Sequence, residues 1–508
     1  MYYDKKKECS PQETIKKIKS IFSQIELNDL QELLFTRDVD KHCSESLRLY
    51  LPEDFFCGTN GKGTTLDYAR ASAYAEFVER IQNPYIIEYT PADSRNFSVK
   101  EFLKSNVIQY FLNKESQNNK KYIKEIIDIS TGYTKNKNGK CIAAVPFFHL
   151  NSDNVVYFPP KLKWHNSIST GSSAGNTPYE ALIEGLSEIF ERYVLQKAIL
   201  EPVSFPEIPE EDYIHYDAIK RIISYVKDLD FEISIRDASL NGMYPVICTI
   251  LQKDNSYMAG FGAHPYLPVA IERCFTEIMQ GFDISNSNIV NFLFCHPNSK
   301  NNNIPIAKVD NALLNRYTEL NKDFFTLSPD YKFDKNFWSK SEELSNKQLF
   351  NDIITKLLKF NCNIFIRDVS FLNFPSFQIY IPELMSNCFY ITEENGKQQR
   401  SDYYRCYNII KDNINAKITL SEILNFFNYF FHMKMCFSKY EHKNIELFYS
   451  IVLIYTKNYN KALKIIKILK TNYKYKSKIK LLNFIEDYIL LVEKNTFINN
   501  INNELSKK

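Results

Sequence analysis

The sequence predicts an α+β fold of internally repeated helix and strand units, with a recurring helix behind a turn rich in small residues, followed by an all-α region. Three observations predict it. Residues 72–80, SAYAEFVER, and residues 187–192, SEIFER, repeat one helical signature, so that Glu76, Glu79 and Arg80 recur as Glu188, Glu191 and Arg192. Runs rich in β-branched and aromatic residues, FEISIRDAS, YPVICTIL, CNIFIRDVS and FQIYIPEL, read as strands. Beyond about residue 400 glycine is absent and a 3.6-residue period takes over, as in LFYSIVLIYTKNYNKALKIIKILK.

Taken in order, residues 1–57 open with a helix, TIKKIKSIFSQI, and continue less regularly. Residues 58–395 hold the repeated units. Each copy of the signature follows small residues: TNGKGTT at 59–65, STGSSAGNT at 169–177 and GFGAHP at 260–265. The third copy, IERCFTEIMQG, places Glu277 and Gln280 where the others carry two acids. Aligning Glu76, Glu188 and Glu277 also aligns Ala69, Ala181 and Ala270, and Thr65 with Thr177. Two I-R-D-[AV]-S segments, 235–239 and 366–370, read as related strand ends. Residues 400–508 form the helical region, where a helix, a Lys-Asn turn and a second helix beginning KAL resemble one tetratricopeptide-type hairpin.

The acids carry the chemistry. Residues at i, i+3 and i+4 share a helix face, so Glu76, Glu79 and Arg80 cluster, with Ser72 one turn earlier. Glu180, Glu184, Glu188 and Glu191 run down one stripe. Like charges at this spacing cost about 0.2–0.5 kcal/mol per exposed pair, and burial raises the cost. The apolar residues around them, among them Ala73, Phe77, Leu186 and Phe190, predict largely buried helices. Arg80 and Arg192 supply part of the compensation, and a hard divalent cation supplies the rest. Magnesium prefers oxygen ligands, one or two of them carboxylates. Twelve of the 13 glycines lie between Gly58 and Gly281, so special backbone sites coincide with the acids.

Composition narrows the class. Hydrophobic residues make up 44% and charged residues 24%, as in a soluble globular protein. A net charge of +3 predicts no strong attraction to nucleic acid, and no direct DNA binding is expected. Eleven cysteines form no C-x-x-C pair and no iron–sulfur ligand set, and the first residues lack an apolar signal segment. The longest apolar run, LFYSIVLIY, is too short to span a bilayer. A cytoplasmic protein with reduced thiols and no membrane association is expected. Nine lysines and no acid lie from Lys457 to Lys480, a surface for an acidic partner or a solvated helix face in a lysine-rich chain. His264 beside the third copy is open to a catalytic or a turn-forming role.

The segments S-x-x-x-E-x-x-E-R at 72–80, SAGNT at 173–177 with E-A-x-x-x-G-L-S-E-x-F-E-R to residue 192, and T-E-x-x-Q at 276–280 resemble the nucleotide-binding motifs of the YcaO superfamily. DASLNGMYPVIC at 237–248 and FGAHPYLPVAIERCFTEIMQG at 261–281 extend the resemblance, which covers about residues 1–395. It implies a YcaO-type ATP-binding domain using ATP and Mg2+. Carried over residue by residue, Glu76, Glu79, Glu188 and Glu191 would hold the metal, and Arg80 and Arg192 would balance phosphate charge or orient those glutamates. Ser72, Ser173, Asn176 and Glu180 would contact nucleotide or a metal, Gln280 would complete the pocket, and Lys7 and Thr14 would lie near the nucleotide.

What the resemblance implies about function divides by branch. The chain ends without the proline-rich tail of azoline-forming members and carries no recognisable leader-peptide-binding domain. Both features agree with the branch ending in helical repeats. Its members are tied to β-methylthiolation of an aspartate in a small-subunit ribosomal protein, as accessory to the radical enzyme RimO. The expected protein is an ATP-utilising accessory factor, a homodimer, and not itself a radical methylthiotransferase. The alternatives are a stand-alone enzyme that activates peptide amides of a precursor peptide, forming azolines, thioamides or amidines, and a non-catalytic nucleotide-binding scaffold.

Overall fold

Spaced apolar residues build α1 (Pro11–Gln24), which buries Ile18, Ile21 and Phe22. Ser10 starts it through a capping box in which its side chain accepts from Glu13 N and the Glu13 carboxylate accepts from Ser10 N. The structure is a computed structural model. It describes residues 6–34, 44–51, 54–83, 93–105, 107, 110, 135–136, 139–159, 169–201, 203–253, 256–279 and 327–385, with eight positions between 462 and 490. Residues 1–52 and 57–390 form one compact unit, and residues 53–56 and 391–508 a second.

Among the described residues, α1 is followed by β1 (Gln31–Leu34), β2 (Glu45–Leu51), β3 (Asp54–Gly63) and α2 (Leu66–Gln82). Next come β4 (Arg95–Ser98), α3 (Val99–Lys104), β5 (Lys135–Asn136), β6 (Gly139–His149), β7 (Asn154–Phe158), β8 (Ser172–Ala174) and α4 (Pro178–Leu200). Then follow α5 (Asp217–Asp228), β9 (Glu232–Asp237), β10 (Val246–Lys253), β11 (Ser256–Ala263) and α6 (Leu267–Ile278). The unit closes with α7 (Lys335–Ser339), α8 (Asn346–Lys359), β12 (Phe365–Asp368), β13 (Ser376–Tyr380) and α9 (Pro382–Met385).

The strands form three sheets: β1-β2-β3, β11-β10-β9, and a larger one ordered β4-β6-β12-β13-β8 with β5 and β7 also on β6. The registered pairs are antiparallel, as in β10 with β9 and β12 with β13, which places the chain in the predicted α+β class. The four strand-like segments of the sequence become β9, β10, β12 and β13, although FQIYIPEL turns into α9 at Pro382. The two I-R-D-[AV]-S segments do end strands alike. Asp237 accepts from Ser239 N at 3.0 Å, and Asp368 accepts from Ser370 N at 2.9 Å. A short polar side chain that bonds the backbone two residues on favours such a turn.

The recurring unit is a strand running into a helix. Helices α2, α4 and α6 begin at aligned positions, residues 66, 178 and 267. Thr65 caps α2 by accepting from Tyr68 N, and Thr177 caps α4 by accepting from Glu180 N. The third unit has Tyr266 there, with no side-chain cap. The glycine segments read as turns are mostly strand ends, because their glycines let strand and helix backbones touch. A Cβ on Gly61 would lie 1.9 Å from Ala69 O, and one on Gly262 would lie 2.4 Å from Ala270 O, at aligned positions.

Each of these helices has its own core. Ala69, Ala73, Phe77 and Val78 of α2 pack with α1 and β2. Leu186, Ile189, Phe190 and Val194 of α4 pack on the large sheet with Phe365 and Ile379. Ile271, Cys274, Phe275 and Ile278 of α6 pack with α5 and with Ile235 and Ile247.

In the second unit, Ala462 and Ile466 are buried while Lys464 and Lys467 are exposed. The exposure of these two lysines is consistent with either expectation, a solvated helix face or a partner surface. The expected tetratricopeptide-like hairpin otherwise lies outside the described residues. Among them, no helix is long and apolar enough to cross a membrane.

Candidate functional site

The polar faces of α2, α4 and α6 meet at one cleft of about 350 Å³. Every predicted site residue that is described lines it: Lys7, Ser72, Glu76, Glu79, Arg80, Ser173, Asn176, Glu180, Glu188, Glu191 and Arg192. Gln280 lies outside the described residues. Thr14 also borders the cleft.

The α2 wall is built as the i, i+3, i+4 spacing predicts. Arg80 Nη2 lies 2.8 Å from Glu76 Oε1, and Arg80 Nη1 lies 3.5 Å from Glu79 Oε1. Glu79 is 6% exposed, so this acid is buried beside its own arginine. On α4 the same construction recurs, with Arg192 Nη2 3.8 Å from Glu188 Oε1 and Glu191 8% exposed. Gly171 N donates to Glu188 Oε2 at 3.3 Å. Near the start of α4, Asn176 Nδ2 donates to Glu180 Oε1 at 3.2 Å, and Lys7 Nζ lies 3.8 Å from the same oxygen.

The α6 wall departs from the pattern. Its Glu277 aligns with Glu76 and Glu188, but Gly281 stands where they have Arg80 and Arg192. The missing cation comes from another unit: Lys62 of β3 pairs with the Glu277 carboxylate. Arg273 of α6 pairs with Glu184 of α4. Burial pushes the Glu184 carboxyl up, but Arg273, with Lys7 and His264, outweighs it and holds the group down at about 2.

His264 takes the turn-forming role. Its Nδ1 accepts from Tyr266 N at 3.0 Å, where α6 begins. Burial, then neighbouring Arg273, holds it well below its ordinary value, so it is neutral near pH 7.

Sequence reasoning assigned no role to Lys62, Glu184, Glu272 or Arg273, although all four line the cleft. A signal existed for two. Arg273 and Glu184 occupy the aligned position at which α2 has Ser72, and this position faces the cleft in every copy.

Eight glutamates and five cationic side chains line the cleft, a formal excess of three negative charges. Among the described residues, no three His, Cys, Asp or Glu side chains converge closely enough to hold an ion unaided. Ser173 Oγ is buried, borders the cleft, and finds no hydrogen-bond partner among the described residues. A buried hydroxyl left unpaired costs about 1–3 kcal/mol, which a ligand oxygen would recover. An acidic cleft with forked donors and an unpaired hydroxyl fits a phosphate carried with Mg2+, whose sphere is completed by phosphate oxygens and water.

This cleft and fold define a nucleotide-binding domain built from repeated strand–helix units. The model of the YcaO family, described as a YcaO cyclodehydratase binding ATP and Mg2+, matches residues 60–385, and the chain belongs to that family. ATP and Mg2+ are its cofactors. The ribosomal protein S12 methylthiotransferase accessory factor YcaO of Escherichia coli is 30% identical over 354 residues, which are 64% of this chain and 57% of that one. A Haemophilus influenzae protein is 28% identical over 388 residues, 72% of this chain and 61% of its own. The chain thus spans about three fifths of the length of these curated relatives. A heterocyclase solved with substrate and cofactor superposes with a TM-score of 0.53 at 16% identity, covering 75% of this chain and 54% of its own, a likeness of fold.

Proposed function

We propose that the protein is a Mg-ATP-dependent accessory factor for RimO-type β-methylthiolation of a small-subunit ribosomal protein. The observation that carries the nucleotide part is the convergence of α2, α4 and α6 on one acidic cleft with an unpaired Ser173 hydroxyl. The accessory role is supported by the name of the Escherichia coli relative.

Glu76, Glu79, Glu188 and Glu191 would hold the metal, which takes one or two carboxylates per ion together with water and phosphate oxygens. Bound Mg2+ would neutralise phosphate charge and make the terminal phosphorus more electrophilic. Arg80 and Arg192, paired with Glu76 and Glu188, would orient those glutamates or balance phosphate charge. Ser72, Ser173, Asn176 and Glu180 would contact the nucleotide or a metal, Lys7 would lie near the nucleotide, and Gln280 would complete the pocket. The division into residues 1–57, an ATP-binding domain over 58–395 and a helical domain over 400–508 belongs to the same proposal. So do a homodimeric state and a cytoplasmic location.

The test is the intact mass of the small-subunit ribosomal protein from strains with and without this gene. The reading requires loss of the methylthio group on deletion, restored by the wild type and not by Glu191→Gln. An unchanged mass sinks the accessory role. A second reading, ATP-dependent activation of a peptide amide, is favoured by the cyclodehydratase description of the family. It requires ATP turnover stimulated by a precursor peptide. Absence of turnover with every candidate partner leaves the nucleotide-binding scaffold.

A further inference from the structure

The chain from Lys6 to Thr14 forms the wall of the cleft nearest the start of α4. Lys6 and Lys7, although adjacent, reach different partners. Lys7 Nζ approaches Glu180 Oε1 at 3.8 Å, and the next residue donates its backbone, Glu8 N to Glu180 Oε2 at 3.2 Å. Thr14 Oγ1 donates to Asn176 Oδ1 at 3.0 Å.

Lys6 is buried at 6% exposure. Its ammonium donates to three carbonyls of the turn joining α7 to α8: Ser341 O at 2.8 Å, Glu342 O at 3.2 Å and Leu344 O at 2.7 Å. It also stands 5.2 Å from the Tyr266 ring centre at the start of α6. Asn346 closes the clasp, donating Nδ2 to Lys6 O at 3.2 Å and to Glu8 Oε1 at 2.8 Å.

An ammonium has three N–H donors, and three carbonyls saturate them. Burying a charge is costly unless it is so satisfied. A greasy anchor would fill the same space without that demand, but it would not fix the register. Lys5, Lys6 and Lys7 are consecutive, and a slip by one residue would exchange the buried lysine for the one facing the cleft. The three-carbonyl socket, with Asn346 reading the backbone beside it, selects one lysine of the run.

We propose that Lys6 is a positioning residue of the cleft: its buried ammonium, clasped by the 341–344 turn, sets the register that seats Lys7 and Glu8 on Glu180. It touches no ligand and acts through its two neighbours. The inference rests on the nucleotide reading of the cleft for its functional consequence.

The experiment compares wild type, Lys6→Met, Asn346→Ala, Glu180→Gln and the Lys6→Met/Glu180→Gln double variant. Calorimetric titration with Mg-ATP should show Lys6→Met weakened about 10-fold, as for other groups that orient ligand-contacting residues. Asn346→Ala should move the same way by less. In the double variant the two losses should fall short of additive, although Lys6 and Glu180 do not touch. Full additivity, or wild-type affinity in Lys6→Met, overturns the proposal. Hydrogen exchange without nucleotide is the independent arm. Lys6→Met should lose protection over residues 6–10 and keep it in α4, and unchanged protection there also overturns it. If Lys6→Met does not fold, Asn346→Ala carries both readouts. A wild type that does not bind Mg-ATP sinks the nucleotide reading, while the exchange arm still decides the clasp.

Discussion

Glu184 illustrates how single residues of the cleft are governed by their partners. Its carboxylate faces the cleft, and burial pushes the group up, but Arg273 is the largest of the neighbours that hold it at about 2 against that effect. A carboxyl whose folded value is depressed contributes stability that is present above its ordinary value of 4.5 and lost as pH falls towards 2. Wild type should therefore exceed Arg273→Met in urea resistance at pH 7, with the difference closing between pH 4.5 and 2. A difference constant across that window would sever Arg273 from Glu184. Asp237 has the opposite sign. Burial raises it to about 6 despite its bonds to Ser239, so its ionisation costs stability as pH rises from 3.8 to 6. The change Asp237→Asn should become more favourable over that interval, by on the order of 2–3 kcal/mol. Chemical denaturation at pH 4 and pH 7 measures it, and equal effects at both would remove the assignment. The sequence displayed both acids but not these environments. Glu184 was visible as part of a stripe, and its partner lies 89 residues away on another helix.

At the scale of elements, the aligned alanines and glycines have a joint explanation. Gly61 faces Ala69 and Ala73, and Gly262 faces Ala270 and Cys274, so a small strand residue opposes a small helix residue at equal spacing. The Cβ of any other residue at Gly61 would meet Ala69 O and Ala73 N, which are backbone atoms and cannot rotate away. Gly61→Ala and Gly262→Ala should each destabilise by about 1–3 kcal/mol, the range for overpacking a filled site. Thermal melts check this, and a wild-type melting temperature in either variant would show that the backbones do not need this approach. The repeat was legible because α2 and α4 keep both a threonine cap and the paired acids. The strand character of the glycine segments was not, because close approach to a helix depletes the large residues by which a strand is recognised. Lys62 was hidden for a related reason: it substitutes for an arginine of another copy, and no local pattern joins β3 to α6.

For the whole molecule, the three units differ in purpose by face. Their apolar faces build three cores around α2, α4 and α6, and the core of α4 takes in Val246, Cys248 and Phe261 of the sheet whose other face packs on α6. The cleft gathers eight glutamates against five cations. Folding them together is opposed by repulsion that a bound divalent ion relieves, and ligand binding to the folded state alone adds stability. ATP without a metal brings further negative charge into this excess and should bind little. Mg2+ alone should raise the melting temperature modestly. Mg-ATP should raise it most, with about 2.7 kcal/mol expected at a hundredfold excess over Kd. Sodium chloride should weaken the Mg2+ effect, because screening already reduces repulsion between the more exposed acids such as Glu76 and Glu188. The measurement is a thermal-shift series with ATP, Mg2+, both, and ATP with a chelator. Equal shifts by ATP in Mg2+ and in chelator would mean that the five cations hold the phosphates without metal. The glutamates would then have to be explained as something other than metal ligands.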